Sequence, residues 1–382
     1  MSTNMRMLPR SNRSEWATDW IAASLLGIVS STFSTVLSTL GAGRIGRDAA
    51  VDWMVVASIP LGDAALLTVP PWSSVVVGIL FHQWADFSWA LVFFGLFGPW
   101  TRRLRPWKLA VIALPWAVFT SALEWLFLVP VFPFAQPIFT LEQPWWLGLV
   151  VHAFSAAMYP LFPWLRDRVA GQRPSPNARF AAAWGGIAFA TILVFGVAAV
   201  LAAQGRELAW RGRDESFDQT WMRRMAAHHA QGVLLAAIAA ERVGDPHLRA
   251  VAHLMGATQR SEIKVLEAWL RSWFGGALPH ASADEHASMP GMIDSARVAA
   301  LRSIPGADFD ATFVAVMTEH HRGAVLMADE AVRRAGDVRL RIIGQVIRHA
   351  QQGEIALMHG IEPGFAAVRI GVGAITGIVN LP

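Results

Sequence analysis

The sequence predicts an all-α protein in two parts. A polytopic membrane helix bundle of about five transmembrane helices comes first, followed by a four-helix bundle made of a duplicated helical hairpin. Three observations carry this expectation. The chain of 382 residues is 54% hydrophobic and only 16% charged, against about 25% charged in an ordinary soluble domain. Long apolar runs crowd its first half. Near its end one pattern occurs twice at a fixed offset, and each copy finishes in two adjacent histidines.

The polar segment 1–17 carries Arg6, Arg10 and Arg13 and is expected in the cytoplasm. The apolar run after it is too long for a signal-peptide core and has no clear small-residue cleavage site, so it reads as a retained anchor. Five runs, at 18–40, 73–98, 107–132, 144–165 and 180–203, reach the roughly 20 residues a crossing helix needs. A sixth stretch, 51–70, contains Asp52, Pro60, Asp63 and Pro70 and reads as interfacial or re-entrant. Arg102, Arg103, Arg105 and Lys108 follow the second run, and Arg166, Arg168, Arg173 and Arg179 follow the fourth, while the loop 133–143 has neither Lys nor Arg. Positive charge favours the cytoplasmic side. Five crossings then put the N-terminus inside and everything after 204 outside, with Arg44 and Arg47 the exceptions. The expected divisions are a transmembrane domain at 18–204, the duplicated domain at 205–362 and an apolar tail at 363–382.

Composition narrows the chemistry. No cysteine is present, which excludes disulfides, thiolate metal sites and thiol nucleophiles. Eighteen Trp against one Tyr suit a chain whose indoles sit at a lipid headgroup level. The isoelectric point near 10.4 comes mostly from arginines placed at predicted membrane boundaries and in the C-terminal bundle. They lack the basic–aromatic alternation of a nucleic-acid surface, so the expected partners are a metal ion and the lipid bilayer, with no nucleic acid.

Four ionisable residues fall inside the apolar runs: His82, Asp86, Glu124 and His152. Such groups are costly in lipid and mark functional sites by default. His82 and Asp86 are four apart and share a helix face. His82, Glu124 and His152 lie at similar depth and Asp86 one turn deeper, which allows a polar cluster. The alternatives are a metal, proton or haem-related site, or polar pairing that fastens the helices.

In the repeat, Phe217-Asp218 leads through Met225 to His228-His229, and Phe309-Asp310 leads through Met317 to His320-His321. The offset of 92 (320 − 228) also relates Arg242, Gly244, Asp245, Gln259 and Glu262 to Arg334, Gly336, Asp337, Gln351 and Glu354. A gapless register of this length indicates duplication of a supersecondary unit. Helical periodicity runs through 217–241, 246–272, 309–334 and 338–359, with Gly244-Asp245-Pro246 and Gly336-Asp337 as the breaks. Adjacent histidines point about 100° apart on a helix. Met225 and Met317 lie three and four residues before them, and Gln259/Glu262 and Gln351/Glu354 share a face. Folding each hairpin can set a His/Met group opposite a Gln/Glu group, twice. One acid per repeat falls short of a carboxylate-bridged di-iron centre. Imidazole and thioether without thiolate favour copper, with another transition metal left open. The candidate metal residues are therefore His228, His229, His320, His321, Met225, Met317, Met358, Glu262, Glu354, Gln259 and Gln351. His280, His286, Met289 and Met292 add a His/Met-rich linker, read as flexible. The alternative for any of these residues is core packing, and Arg223, Arg224, Arg333, Arg334 and Arg348 read as solvated or ion-paired faces.

Residues 215–360 resemble the bacterial family known as domain of unknown function 305. The likeness rests on Met289-Pro290-Gly291-Met292, Phe309-Asp310, Met317, His320-His321-Arg322-Gly323-Ala324, Met327-Ala328 and Gln351-Gln352-Gly353-Glu354-Ile355 through Met358. The first repeat keeps Met225, His228-His229, Gln259, Glu262 and Ile263, but has Leu235 and Leu266 where the second has Met327 and Met358, which predicts a weaker ligand set. The resemblance implies a ferritin-like bundle outside the cytoplasm of a bacterium, with relatives linked to copper binding and tolerance, and says nothing of the membrane half, whose apolar runs are what predict an anchor in the inner membrane. The leading expectation is a membrane-anchored protein that sequesters or hands over copper. The alternative is a transporter or proton-coupled membrane protein that uses His82, Asp86, Glu124 and His152, with the bundle delivering metal. Nothing in the pattern favours enzymatic turnover, and an interaction module remains the plainest alternative.

Overall fold

The computed structural model describes residues 12–67, 70–132, 134, 137–210, 214–361, 364, 368–369 and 372, and no strand occurs among them. Apart from Gly364, Val368, Arg369 and Val372, the apolar tail expected at 363–382 lies outside the described residues. The first half forms α1 (Asn12–Ala42), α2 (Ala49–Leu61), α3 (Trp72–Ala90), α4 (Pro106–Leu123), α5 (Ile138–Glu142), α6 (Trp145–Ala156) and α7 (Ala178–Ala203). The second half forms four long helices, α8 (Glu215–Arg242), α9 (Pro246–Phe274), α10 (Gly306–Arg334) and α11 (Val338–Met358).

Among the described residues six helical stretches are long and apolar enough to cross a membrane: Glu15–Ile45, Ala49–Leu66, Trp72–Leu96, Pro106–Leu128, Trp145–Val169 and Ala178–Ala203. Five match the expected runs, and the sixth is the stretch read as interfacial. Helix α7 is apolar all round, yet Ile187, Phe189 and Val194 are each at least 60% exposed. A helix apolar on every side, with only Ala181 buried and so wide a face exposed, suits lipid.

The chain packs as two units. The first comprises Met1–Val36, His82–Thr120 and Leu149–Ile192. Its aromatic core includes Phe94 stacked on Phe162 at 4.0 Å and packed edge-on against Tyr159. Its buried Asp19 takes Arg166 at 2.7 Å and Arg102 at 3.1 Å, so two arginines of the basic loops are bound to a helix carboxylate.

The second unit, Leu37–Phe81, Ser121–Gly148 and Leu193–Pro382, contains the bundle. Three of the four bundle helices start on an aspartate cap, while α10 follows Pro305 without a side-chain cap. Asp214 accepts from the backbone of Ser216 and Phe217, Asp245 from Leu248, and Asp337 from Arg339. The two hairpins clamp each other reciprocally. Asp218 accepts from the amides of Gly336 and Asp337 at 2.8 and 3.0 Å, and its equivalent Asp310 from Gly244 and Asp245, both at 3.0 Å. Arg242 lies over Phe309 at 4.6 Å and Arg334 over Phe217 at 4.7 Å. Thus Phe-Asp at the start of each repeat holds the break of the other.

Two segments from the first half also pack on the bundle within this unit. Every residue of α5 is buried. It approaches α11 so closely that a Cβ on Gly353 would lie 2.1 Å from the Leu141 carbonyl oxygen, and only glycine fits there. The stretch beginning with α2 touches the bundle at both ends. Gly46, just before α2, packs on Ile343 of α11, while Asp63, just after it, pairs with His247 of α9 at 2.9 Å. The two arginines that break the charge rule are bound, Arg44 to Glu207 at 2.7 Å and Arg47 to Asp52 at 2.6 Å. Arg339, only 1% exposed, holds the segment before α8 through Glu207 at 2.9 Å and the Leu208 carbonyl at 2.7 Å, with Trp210, Trp269 and Trp273 around its guanidinium.

Candidate metal centre

The bundle core is polar at its middle and apolar at both ends. His228, His229, His320 and His321 are all completely buried, as are Gln259 and Glu354, with Gln351 and Glu262 nearly so. The roughly 100° turn between neighbours on a helix divides each doublet into two roles. His229 Nε2 lies 2.7 Å from Glu262 Oε2, and His321 Nε2 lies 2.7 Å from Glu354 Oε2, so each hairpin sets one imidazole against its own carboxyl group. The other two rings meet across the hairpins, His228 over His320 with centroids 4.0 Å apart. His320 Nε2 donates to the His228 carbonyl and His228 Nε2 to the Pro290 carbonyl, both at 3.1 Å.

Several polar atoms in this core lack partners. The Nδ1 atoms of His228, His229 and His320 are buried without a hydrogen bond, as are both amide atoms of Gln259 and the Gln351 Oε1. Gln351 Nε2 donates to Glu354 at 3.1 Å, and Thr258 donates to the same carboxyl group at 3.4 Å. Native cores satisfy most buried polar groups, so such a concentration of unused donors and acceptors calls for a ligand. Among the described residues, however, no three His, Asp or Glu side chains converge where one ion could be held. The nitrogen and oxygen donors stand in pairs, so the sulfurs of the core must be counted with them.

Burial sets the protonation of these groups. It pushes His228 and His321 down to about 3, each helped by the neighbouring His229, and holds His320 well below its usual value. Burial, reinforced by Glu262, holds the Glu354 carboxyl well above the ordinary range. These three imidazoles are therefore neutral and keep a lone pair, the form in which histidine binds metal.

The thioethers follow a pattern that the sequence concealed. Met225, Leu266 and Met327 share one apolar cluster, and Leu235, Met317 and Met358 share the other. Met327 of the second repeat thus lies in the cluster that holds Leu266 of the first, beside Met222 and Met289 as well as Met225. The linker is also more ordered than expected. Met289 is buried, the Pro290 carbonyl is bonded to His228, and a Cβ on Gly323 would lie 2.1 Å from that carbonyl oxygen. Gln231 bonds both the amide and the carbonyl of Ile293 at 2.8 Å, so Met289–Ile293 is a fixed cover. His280 is exposed and His286 half-buried, with the His286 carbonyl accepting from the Met289 amide at 3.3 Å. Of the arginines read as surface groups, Arg223 pairs with Glu285, Arg334 with Glu330 and Arg348 with Asp329.

Sequence reasoning missed Glu142. Helix α5 carries it into the bundle, where it is 1% exposed and its Oε2 has no hydrogen-bond partner. Burial and then Glu354 hold its carboxyl well above the usual range, with Arg47 opposing them. Beside it His349 Nε2 donates to the Thr140 carbonyl at 3.2 Å. The only signal in the sequence was an acid in a loop free of Lys and Arg.

In the first unit three of the four intramembrane residues come together. His82 Nε2 is 3.4 Å from Asp86, and His152 Nδ1 is 3.8 Å from it on the other side. Glu124 belongs to the second unit, at the start of a π-helical turn, Glu124–Leu128.

A sequence profile described as "Domain of unknown function (DUF305)" matches residues 218–362. No curated protein matches the chain. Solved structures similar to it include a DUF305 fragment from Deinococcus radiodurans, 30% identical, covering 39% of this chain and 97% of that one with a TM-score of 0.36. A DUF305 protein from Streptomyces coelicolor is 31% identical over 37% of this chain and 87% of its own, TM-score 0.34. CopM in its Cu(I)-bound form is 25% identical over 37% of this chain and 92% of its own, TM-score 0.32. Through residues 218–362, with their reciprocal Phe-Asp clamps and paired histidines, the chain belongs to the DUF305 family.

Proposed function

We propose that this is a membrane-anchored protein whose bundle binds copper outside the cytoplasm, for sequestration or handover. The observation that carries the reading is the set of buried imidazoles with unused nitrogens, three of them neutral by burial, beside thioethers and no thiolate. Soft sulfur with imidazole is a donor set for copper. His228, His229, His320 and His321 would supply nitrogen, Met225, Met317 and Met358 sulfur, and Glu262 and Glu354 either a bond to the metal or a fixed orientation for His229 and His321. Gln259 and Gln351 line the same core. CopM has been solved with Cu(I), Cu(II) and silver. That is a property of CopM, and the proposal for this chain stands on its own donors.

The register at offset 92, with equivalent contacts at equivalent residues, supports descent of the bundle from one duplicated hairpin. The touching of the bundle by both ends of the α2 stretch supports an interfacial position for it. Five crossings then separate the N-terminus from the bundle.

The test is titration of the purified, detergent-solubilised chain with Cu(I) and with Cu(II). Binding tighter than about 1 μM is expected, with loss when His228, His229, His320 and His321 are all changed to Ala. Weaker binding by the wild type, or unchanged binding by the variant, rejects the proposal.

A further inference from the structure

The first unit holds a second polar centre that the bundle's chemistry does not use. Asp86 is 1% exposed and sits between two imidazoles. On one side Ser34 of α1 donates to its Oδ2 at 2.5 Å and also meets His82 Nε2 at 3.0 Å. On the other, His152 Nδ1 lies 3.8 Å from Oδ1 and 3.3 Å from the Thr120 hydroxyl. Four helices, α1, α3, α4 and α6, thus each contribute to one chain of contacts. Tyr159, just beyond α6, is within electrostatic reach of Asp86.

Charge balance decides what this centre holds. Stretches 14–43, 48–101 and 109–165, which carry all these residues, contain no lysine or arginine. A buried carboxylate without a cation costs several kcal/mol on the order of magnitude, so it is neutralised or paired. Of the groups shown against Asp86, His82 on its own helix and His152 on α6 can carry a positive charge, while Ser34, Thr120 and Tyr159 cannot. Either Asp86 is protonated or one imidazole is. Both arrangements place one proton more in the centre than an ionised Asp86 between two neutral rings would have. A shared metal ion is disfavoured, because no three His, Asp or Glu among the described residues converge on one point. Two further details fit a working site. Helix α3 passes into a π-helical segment, Leu91–Leu96, about a turn after Asp86, and α4 does the same about a turn after Thr120. Such π segments recur at functional positions.

We infer that His82, Asp86 and His152, linked through Ser34 and Thr120, form a proton-exchange site within the membrane half. The ligand is a single proton, moved between carboxylate and imidazole with no other bond made or broken. Infrared difference spectra of the metal-free full chain in detergent, recorded between about pH 5 and 8 where histidine titrates, test it. A carboxyl band and imidazole bands should titrate together, and Asp86→Asn should remove that carboxyl band. Ser34→Ala keeps every charge and should shift the midpoint by about half a pH unit or more, since it deletes a hydrogen bond to the charged form. Thermal unfolding of each variant shows that it is folded, and Ser34→Ala keeps the test open should Asp86→Asn not fold. Identical titrations in wild type and Asp86→Asn, or an unmoved midpoint in Ser34→Ala, would overturn the inference.

Discussion

Replacing Glu354 by Gln separates the two roles that a buried acid beside a histidine can have. Burial and the adjacent Glu262 hold the Glu354 carboxyl well above the ordinary range. The folded chain therefore keeps a proton that the unfolded chain releases above pH 4.5. Where the native state binds more protons, stability falls as pH rises. The wild type should lose about 1.4 kcal/mol per pH unit above 4.5 until the raised value is reached. Glutamine keeps the shape and a hydrogen bond to His321 but has no proton to lose. The variant should therefore gain on the wild type by that slope. With about 2–4 °C per kcal/mol for a domain of this size, the two unfolding midpoints should diverge by roughly 3–6 °C per pH unit. Thermal unfolding of the detergent-solubilised chain, followed by tryptophan fluorescence from about pH 5 to 7, measures it. Parallel curves, or a variant uniformly weaker by the roughly 3–5 kcal/mol that breaking a buried ion pair costs, would refute the neutral-acid argument. In the same variant copper affinity should drop by about 10- to 100-fold, the usual effect of losing a group that binds or orients a ligand.

Three further outcomes are expected. Copper affinity should rise with pH by up to about tenfold per unit, because His228 and His321 are already neutral while Glu354 must release its proton, and Glu354→Gln should flatten that dependence; competition titrations at two pH values decide it. Asp218→Ala leaves the Asp214, Gly336 and Asp337 amides without their acceptor in a largely buried clamp and should cost about 1–3 kcal/mol, more than Asp310→Ala, whose clamp is exposed, as denaturant midpoints would show. Gly353→Ala pushes a Cβ into the Leu141 backbone and should cost about 1–3 kcal/mol while loosening α5, seen as faster amide exchange at 138–142 with little change in α8.

The apolar runs, the helical periodicity and the offset of 92 made the helices and the paired hairpins legible, because each is a pattern along one segment. Helix ends moved by only a few residues, as with Gly306–Arg334 against the expected 309–334. That a His/Met group faces a Gln/Glu group in each hairpin was also legible, since i,i+3 and i,i+4 spacing sets each face, whereas the choice of His229 and His321 as the acids' partners was not. What stayed hidden depends on contacts between distant segments. Met327 joining Leu266 in one cluster, the Pro290 carbonyl on His228, and Glu142 entering from α5 have no local signature. The same holds for Arg339, which along the chain is one more basic residue after a helix break but is 1% exposed among three indoles.

The join between α7 and the bundle has a consequence for any exchange with another molecule. Arg44 and Arg339 both grip Glu207, and the Trp210 amide donates to Asp337 at 2.7 Å. The segment is thus held to the bundle at Glu207, Leu208 and Trp210. If the bundle binds copper as proposed, a molecule exchanging it meets a bundle whose entry segment is already fastened to α11.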